Sequence, residues 1–302
     1  MKGPETLMEF MELFESERSC RQAIFDHRWP DGFRCPRCKH DRAYEIETRS
    51  LFECGACGYQ ASLTAGTILH KSKTPLKKWL MAIYILGSTK KALSSAELGR
   101  QLGVANQTAW TMRRKILHAM RRREGELMLS GIVEMDEAFI GGKEEGRKGR
   151  GTEKKTLVAV SAQETKNGKL ALAHIQIIPD ASGDTLKVAA KKTIKENSTI
   201  KTDGWLGYNN LDKKGYEHVR RVQQGRKDAS KLLPWVHVVI SNFKRWILDI
   251  FHGVSPKHLQ AYLDEFCYRL NRRWHRKDLF RRILNRCVKF SGPVTYCQLV
   301  AS

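Results

Sequence analysis

Four cysteines fall in two tight pairs, Cys35 with Cys38 and Cys54 with Cys57, and 15 residues separate Cys38 from Cys54. Two CxxC pairs at that spacing can place four thiolates around one tetrahedral Zn²⁺, each pair on a tight turn, here around Pro36-Arg37 and Gly55-Ala56. Four thiolates leave no open coordination position, so this metal is expected to be structural, holding a ribbon too small to build its own core. Reaction chemistry is expected elsewhere. Asp136 ends the apolar strand pattern Ile132-Val133-Glu134-Met135, and Asp203 ends a second, Thr199-Ile200-Lys201-Thr202, with Gly204 following. Carboxylates at the ends of neighbouring strands suit a hard divalent cation such as Mg²⁺, which keeps water and substrate phosphate oxygens in the rest of its shell. Two such ions about 4 Å apart serve the attacking and the leaving oxygen of an in-line phosphoryl displacement. Either aspartate alone reads equally well as a turn or capping residue.

The elements that must hold these residues are set by length and charge. The chain has 302 residues, with 54 Lys+Arg against 32 Asp+Glu, a net charge of +22. Such a surplus points to a phosphate-rich partner, nucleic acid first, because each cation that meets a phosphate releases a condensed counterion. An apolar fraction of 41% with 9% aromatics excludes global disorder and allows about two domains. The longest clean apolar stretch, Trp79 to Leu86, is too short to cross a bilayer, and no basic flank with an apolar block opens the chain. A cytoplasmic, nucleoid-associated protein is expected, and eight cysteines in such a chain are too few for a disulfide scaffold. Cys20, Cys267, Cys287 and Cys297 read as ordinary buried thiols.

Residues 1–32 carry four Lys/Arg and seven Asp/Glu, so the charge surplus lies wholly beyond them. Leu7, Phe10, Met11 and Phe14 there recur as on an amphipathic helix, with Ala23, Ile24 and Phe25 suggesting a second. The ribbon is expected over 33–70 and a helix-turn-helix over 71–125, with Ser94 or Ser95 capping one helix, Gly103 ending it and Asn106 capping the next. On that second helix Gln107, Trp110, Arg113 and Arg114 recur on roughly one side, as groups that read base edges or hold phosphates do. An ordinary helical hairpin is the plainer alternative. From Gly131 the period becomes that of strands, in the order βββαβ, and a mixed α/β sheet with flanking helices is expected over 126–295.

Residues 133–142 (VEMDEAFIGG), 201–208 (KTDGWLGY) and 237–273, together with RWPDGFRCPRC at 28–38, resemble bacterial insertion-sequence transposases of the DDE superfamily, in the branch with a zinc ribbon and an ISXO2-like transposase domain. The resemblance runs over nearly the whole chain. It implies an RNase H-like catalytic domain, Asp136 and Asp203 as the first two metal ligands, and cleavage of transposon ends followed by strand transfer. It also implies an acidic third ligand about 35 residues after the second Asp, with Lys or Arg seven residues later. Here position 237 is His and position 244 is Lys. Seven residues at about 100° each return to within roughly 20° of the starting direction, so the two share a helix face, and Pro234 can open that helix. His237 is therefore the expected third ligand, its neutral imidazole suiting Mn²⁺ better than Mg²⁺, and Lys244 the phosphate contact. Asn242, Asp249 and Glu265 are the alternatives. Glu134 and Glu137 flank Asp136 and are read as supporting groups pointing to the opposite side of the strand.

Further DNA contacts are expected from Arg147, Lys148 and Arg150 in the basic Gly-rich stretch Lys143 to Lys155. Arg272 and Arg273 are expected to contribute from the Arg-rich stretch Cys267 to Arg286, which also holds Trp274. Trp205 and Tyr208 read as core aromatics more readily than as base-stacking groups. The expected partners are double-stranded DNA, both transposon ends with their terminal inverted repeats and target, and a second copy of the chain or a larger assembly. A catalytically inactive DNA-binding regulator and an RNA-processing nuclease are the rival readings.

Overall fold

A computed structural model describes residues 3–141, 155–209, 211–212, 215–222, 232–248, 250 and 255–301. Its helices are α1 (Leu7–Leu13), α2 (Glu17–Arg28), α3 (Leu76–Ser88), α4 (Ser95–Leu102), α5 (Asn106–Gly125), α6 (Gly183–Thr193), α7 (Pro234–Leu248), α8 (Pro256–Leu270), α9 (Leu279–Asn285) and α10 (Tyr296–Ala301). Its strands are β1 (Ala43–Ile46), β2 (Leu51–Cys54), β3 (Gln60–Ser62), β4 (Ile132–Ile140), β5 (Thr156–Glu164), β6 (Leu170–Ile177), β7 (Thr199–Thr202) and β8 (Glu217–Arg220). None of the described helices is long and apolar enough to cross a membrane. The chain divides into two compact units, Met1–Arg122 with Trp274–Ser302, and Arg123–Arg273.

In the first unit β1, β2 and β3 form an antiparallel ribbon. Phe25 and Trp29 at the end of α2 stack against Phe52 of the ribbon, with ring centroids 5.1 and 5.6 Å away, and Phe33 joins them. A second aromatic cluster brings Phe10 and Phe14 of α1 against Tyr84 of α3 and Phe280 of α9. This packing explains a departure from the expected boundaries. Residues 274–295, read as part of the catalytic domain, belong to the first unit because α9 supplies core to α3, and the ribbon and helix-turn-helix share that unit with the N-terminal helices. The helix-turn-helix itself forms with Ser94 capping α4 through the Glu97 amide and Gly103 in the left-handed conformation at φ 57°. Asn106 opens α5 as its first helical residue. A Cβ on Gly99 would meet Ala109 at 3.3 Å and the Val104 carbonyl at 3.1 Å, so the glycine lets the two helices approach closely.

The second unit is a five-stranded mixed sheet in the order β6-β5-β4-β7-β8, with β5 antiparallel to both β4 and β6 and β7 parallel to both β4 and β8. This is the mixed α/β sheet with flanking helices expected from the sequence. Strand alternation sorts two cores onto its faces. Val133, Met135 and Ala159 meet Leu186, Ala189 and Ala190 of α6, whereas Ile140, Val158, Val160 and Ala162 meet Val236, Val239 and Phe243 of α7 and Leu259 and Leu263 of α8. The edge of β6 is closed by side chains of α8 and the segment after it. Gln260 accepts from the Ile177 amide at 2.9 Å and donates to the Ile175 carbonyl at 3.1 Å, and Asn271 does the same for both backbone groups of Ala173. Two amide side chains thus stand in for a sixth strand. The strand β8 was not expected from the sequence, because Glu217 and Arg220 are exposed, His218 and Val219 only half-buried, and the four carry no apolar alternation.

The turn after β7 depends on one glycine. Trp205 folds back so that its indole Nε1 donates to the Ala181 carbonyl at 3.0 Å, and a Cβ on Gly207 would lie 2.6 Å from that nitrogen and 2.8 Å from the same carbonyl. Gly207→Ala is expected to destabilise the chain by roughly 1–3 kcal/mol in urea unfolding. Gly204→Ala, whose added carbon would meet a Val222 methyl at 3.5 Å, is expected to cost far less. Equal costs would remove the steric account.

Candidate active site and metal centre

The four cysteines of the ribbon converge. Their sulfurs all lie within 4.8 Å of one another, with Cys35 and Cys57 3.7 Å apart and Cys38 and Cys54 3.5 Å apart. Zn–S bonds of about 2.3 Å in a tetrahedron need S···S edges of about 3.8 Å, so the set fits Zn²⁺. Each pair sits on the same turn. The Lys39 amide donates to the Cys35 carbonyl at 3.0 Å and the Gly58 amide to the Cys54 carbonyl at 3.0 Å. Both closing residues are left-handed, at φ 67° and 63°. Of the remaining cysteines, Cys20, Cys267 and Cys287 are buried as expected, whereas Cys297 is exposed because it sits on the short terminal helix.

Asp136 and Asp203 are brought level by the sheet. Parallel pairing matches Ile132 with Thr199, Val133 with Ile200 and Glu134 with Lys201; the same offset carried two residues past these pairs makes Asp136 correspond to Asp203, just beyond the end of β7, and the Asp203 charge acts on Asp136. Asp203 then leaves the strand, its Oδ1 accepting the Trp205 amide at 2.9 Å, a side-chain turn that fixes the carboxylate. Asp136 Oδ1 accepts the Glu137 amide at 2.8 Å. Burial, followed by the charges of Glu137 and Asp203, pushes the Asp136 carboxyl up to about 7. Mutual repulsion among carboxylates drawn together at partial burial is what a bound cation relieves, so the pair suits a divalent ion. Behind it, Tyr208 is fully buried and donates to Glu137 Oε2 at 2.7 Å, which places both Tyr208 and half-buried Trp205 in structural roles.

Glu134 and Glu137 do not lie on one side as expected. Alternation puts Glu137 on the α6 face, but Glu134, two residues from Asp136, shares the face of Asp136 and points at α7. Its Oε2 accepts the amides of Trp235 at 2.8 Å and Val236 at 3.0 Å. Burial pushes its carboxyl up to about 7 against the pull of those two bonds. The next residue of α7 is His237, half-buried, and Lys244 and Asn242 further along are exposed. Among the described residues only the four cysteines form a group of three or more side chains that could hold a metal ion, so Asp136, Asp203 and His237 do not close into one. Ions about 4 Å apart spread their ligands over a wider span than a single ion does. Glu265 is removed as an alternative, being fully buried and paired with Arg269 at 2.7 Å, and Asp249 lies outside the described residues.

The residues expected at DNA separate sharply. Gln107 is exposed in the first turn of α5, where its amide donates to the Tyr296 hydroxyl at 3.0 Å. Arg113 and Arg114 are turned inward, 1% and 5% exposed, with Arg114 donating to the Leu299 carbonyl at 3.2 Å. The helix is covered on most sides beyond its first turn, so neither guanidinium faces solvent. Arg272 is paired at 2.6 Å with the fully buried Glu124 and lies over the Tyr268 ring. Arg273 donates to the Leu170, Ala171 and Leu270 carbonyls, closing the edge of β6. These four arginines hold the fold together and do not form the expected DNA-facing surface. Arg147, Lys148 and Arg150 lie outside the described residues.

Two outcomes test these centres. Cys38→Ser and Cys54→Ser are each expected to lose the bound zinc, measured by metal analysis, and to lower the unfolding temperature steeply, since structural zinc contributes roughly 10 kcal/mol or more to such ribbons. Retention of zinc in both would dismiss the centre. Without catalytic cation, Asp136 stays protonated up to about pH 7 in the folded chain but ionises near its ordinary value of about 4 when unfolded. Stability therefore falls as pH rises from about 4 through about 7, and because Glu134 is raised in the same direction, Asp136→Asn should reduce that slope in urea midpoints without abolishing it. Parallel profiles for variant and wild type would show that the Asp136 carboxyl is not raised by its burial and its neighbours.

Comparison with known proteins bears on the same residues. Residues 128–271 match the ISXO2-like transposase domain family and residues 15–60 the transposase zinc-ribbon domain family. An uncharacterized protein in transposable element ISH50 of Halobacterium salinarum is 26% identical over 295 residues, covering 90% of this chain and 94% of that protein. Among solved structures, the Mos1 strand transfer complex is similar at a TM-score of 0.29 and 15% identity over 72% of this chain and 78% of that one. A pre-cleavage Mos1 transpososome gives 0.27 and 12% over 69% and 78%. The four cysteines of the ribbon lie inside the segment similar to the transposase zinc-ribbon domain, and Asp136, Asp203, His237 and Lys244 lie inside the segment similar to the ISXO2-like transposase domain.

Proposed function

We propose that this chain is an active DNA transposase that binds the terminal inverted repeats of its insertion sequence and carries out divalent-metal-dependent strand cleavage and strand transfer. The observation that carries the reading is that parallel pairing of β4 with β7 brings Asp136 and Asp203 near each other, with the Asp136 carboxyl raised first by burial and then by the charges of Glu137 and Asp203. These two aspartates and His237 would hold Mg²⁺ or Mn²⁺, which when bound supplies charge neutralisation at the attacking and leaving phosphodiester oxygens. The Trp205 amide keeps the Asp203 carboxylate turned to the strand end. Lys244, exposed two helical turns beyond His237, contacts a backbone phosphate. Gln107, exposed where α5 begins, reaches the end DNA from the helix-turn-helix. The charge surplus beyond residue 32 steers the duplex, so binding weakens steeply with salt. Water acts first as nucleophile and the freed 3′-hydroxyl second, in an assembly that pairs two ends through at least two copies of the chain.

Nicking of a duplex carrying the element's own ends, in Mn²⁺ and in Mg²⁺, tests the proposal. Asp136→Asn and Asp203→Asn are expected to lower the rate by about a thousandfold or more, since the ions they hold supply several kcal/mol of transition-state charge stabilisation. Equal nicking by wild type and both variants would remove the assigned site. End binding by a wild type that nicks under neither metal would favour the regulator, with His237 marking a lost acid.

A further inference from the structure

The first turn of α7 leaves no amide to chance. Pro234, its first residue, has no N–H, and the His237 amide bonds to the Leu233 carbonyl at 3.2 Å. The two amides between them, on Trp235 and Val236, are the donors that a capping side chain ordinarily takes, and Leu233 has no oxygen on its side chain to offer. The acceptor comes instead from the sheet, as Glu134 Oε2 at 2.8 and 3.0 Å, on a residue 1% exposed and 101 positions earlier in the chain. A buried carboxylate at that end also meets the positive pole of the helix. Glu134 is itself held on both sides, paired with Ala162 of β5 and Lys201 of β7. It stands two residues from Asp136 on the same face of β4, about 7 Å along the strand. The residue that follows the two clamped amides is His237.

We propose that Glu134 is a positioning residue: by capping α7 from the strand that carries Asp136, it sets where His237 stands relative to the aspartate pair. The inference rests on the assignment of His237 as third ligand. Removing such a support costs about 10- to 100-fold in metal affinity when the ligand it orients loses its place. A Gln side chain keeps one acceptor oxygen at the same reach, whereas Asp is one methylene too short.

The test is Mn²⁺ binding by the full-length, zinc-loaded chain, read from the electron paramagnetic resonance signal of free aquo Mn²⁺, beside thermal unfolding of the same samples without added Mn²⁺. Glu134→Ala is expected to weaken Mn²⁺ binding at least tenfold, Glu134→Asp by an intermediate factor, and Glu134→Gln to stay within about threefold of wild type. In a His237→Ala background, Glu134→Ala should cause no further loss, because the residue acts through His237. Undiminished Mn²⁺ affinity in folded Glu134→Ala would overturn the inference, as would an equal loss in both backgrounds. Should Glu134→Ala not fold, wild-type affinity in Glu134→Asp would overturn it instead. Asp136→Asn separates the two levels. If that variant binds Mn²⁺ like wild type, the site itself is misassigned; if it loses binding while Glu134→Ala does not, only the positioning role fails.

Discussion

Parallel pairing between β4 and β7 is the constraint on which the proposed chemistry depends. A shift of one residue in that ladder would turn the side chain facing Asp136 to the other side of the sheet, because strand side chains alternate with period two. The apolar residues on either side oppose such a slip. Val133 and Met135 must meet α6, and Ile200 lies in the same core, so moving the register would bury polar groups and expose apolar ones. Two carboxylates that repel each other are therefore held level by packing in which they take no part.

The charge of the chain is divided in a way that its total does not reveal. Several arginines act as internal fasteners: Arg272 answers the buried Glu124, Arg273 and Asn271 close the edge of β6, and Arg269 neutralises Glu265. Buried ions need such partners because desolvation without one costs several kcal/mol. Meanwhile the site gathers negative charge. Burial, with the charges of Glu137 and Asp203 added to it, holds the Asp136 proton up to about neutral pH.

Helix α7 ties these themes together. Its apolar side, Val236, Val239 and Phe243, seats it on the β4–β5 face, while its first turn is held by Glu134. The packing fixes the height of the helix above the sheet, and the carboxylate fixes its position along β4. Lys244 follows because seven residues of helix return to nearly the same direction.

What the sequence settled by itself was local chemistry. The spacing of Cys35, Cys38, Cys54 and Cys57 implied a closed four-thiolate centre, since two short turns and one ribbon are all that such a site needs. Asp203 was legible as the residue that follows an apolar strand, whereas Asp136 stands in the middle of β4, which runs on to Ile140 because its pairing with β5 continues past the point where the apolar run stops. Arg113 and Arg114 misled for the opposite reason: helical periodicity assigns a shared face but does not say whether that face meets water or other helices. The partner of Glu134 lies 101 residues away, the core that claims α9 is built from residues near the other end of the chain, and the four residues of β8 pair only because β7 is there. These were decided by tertiary structure, because burial and long-range hydrogen bonding depend on which segments meet, and sequence spacing carries no record of that.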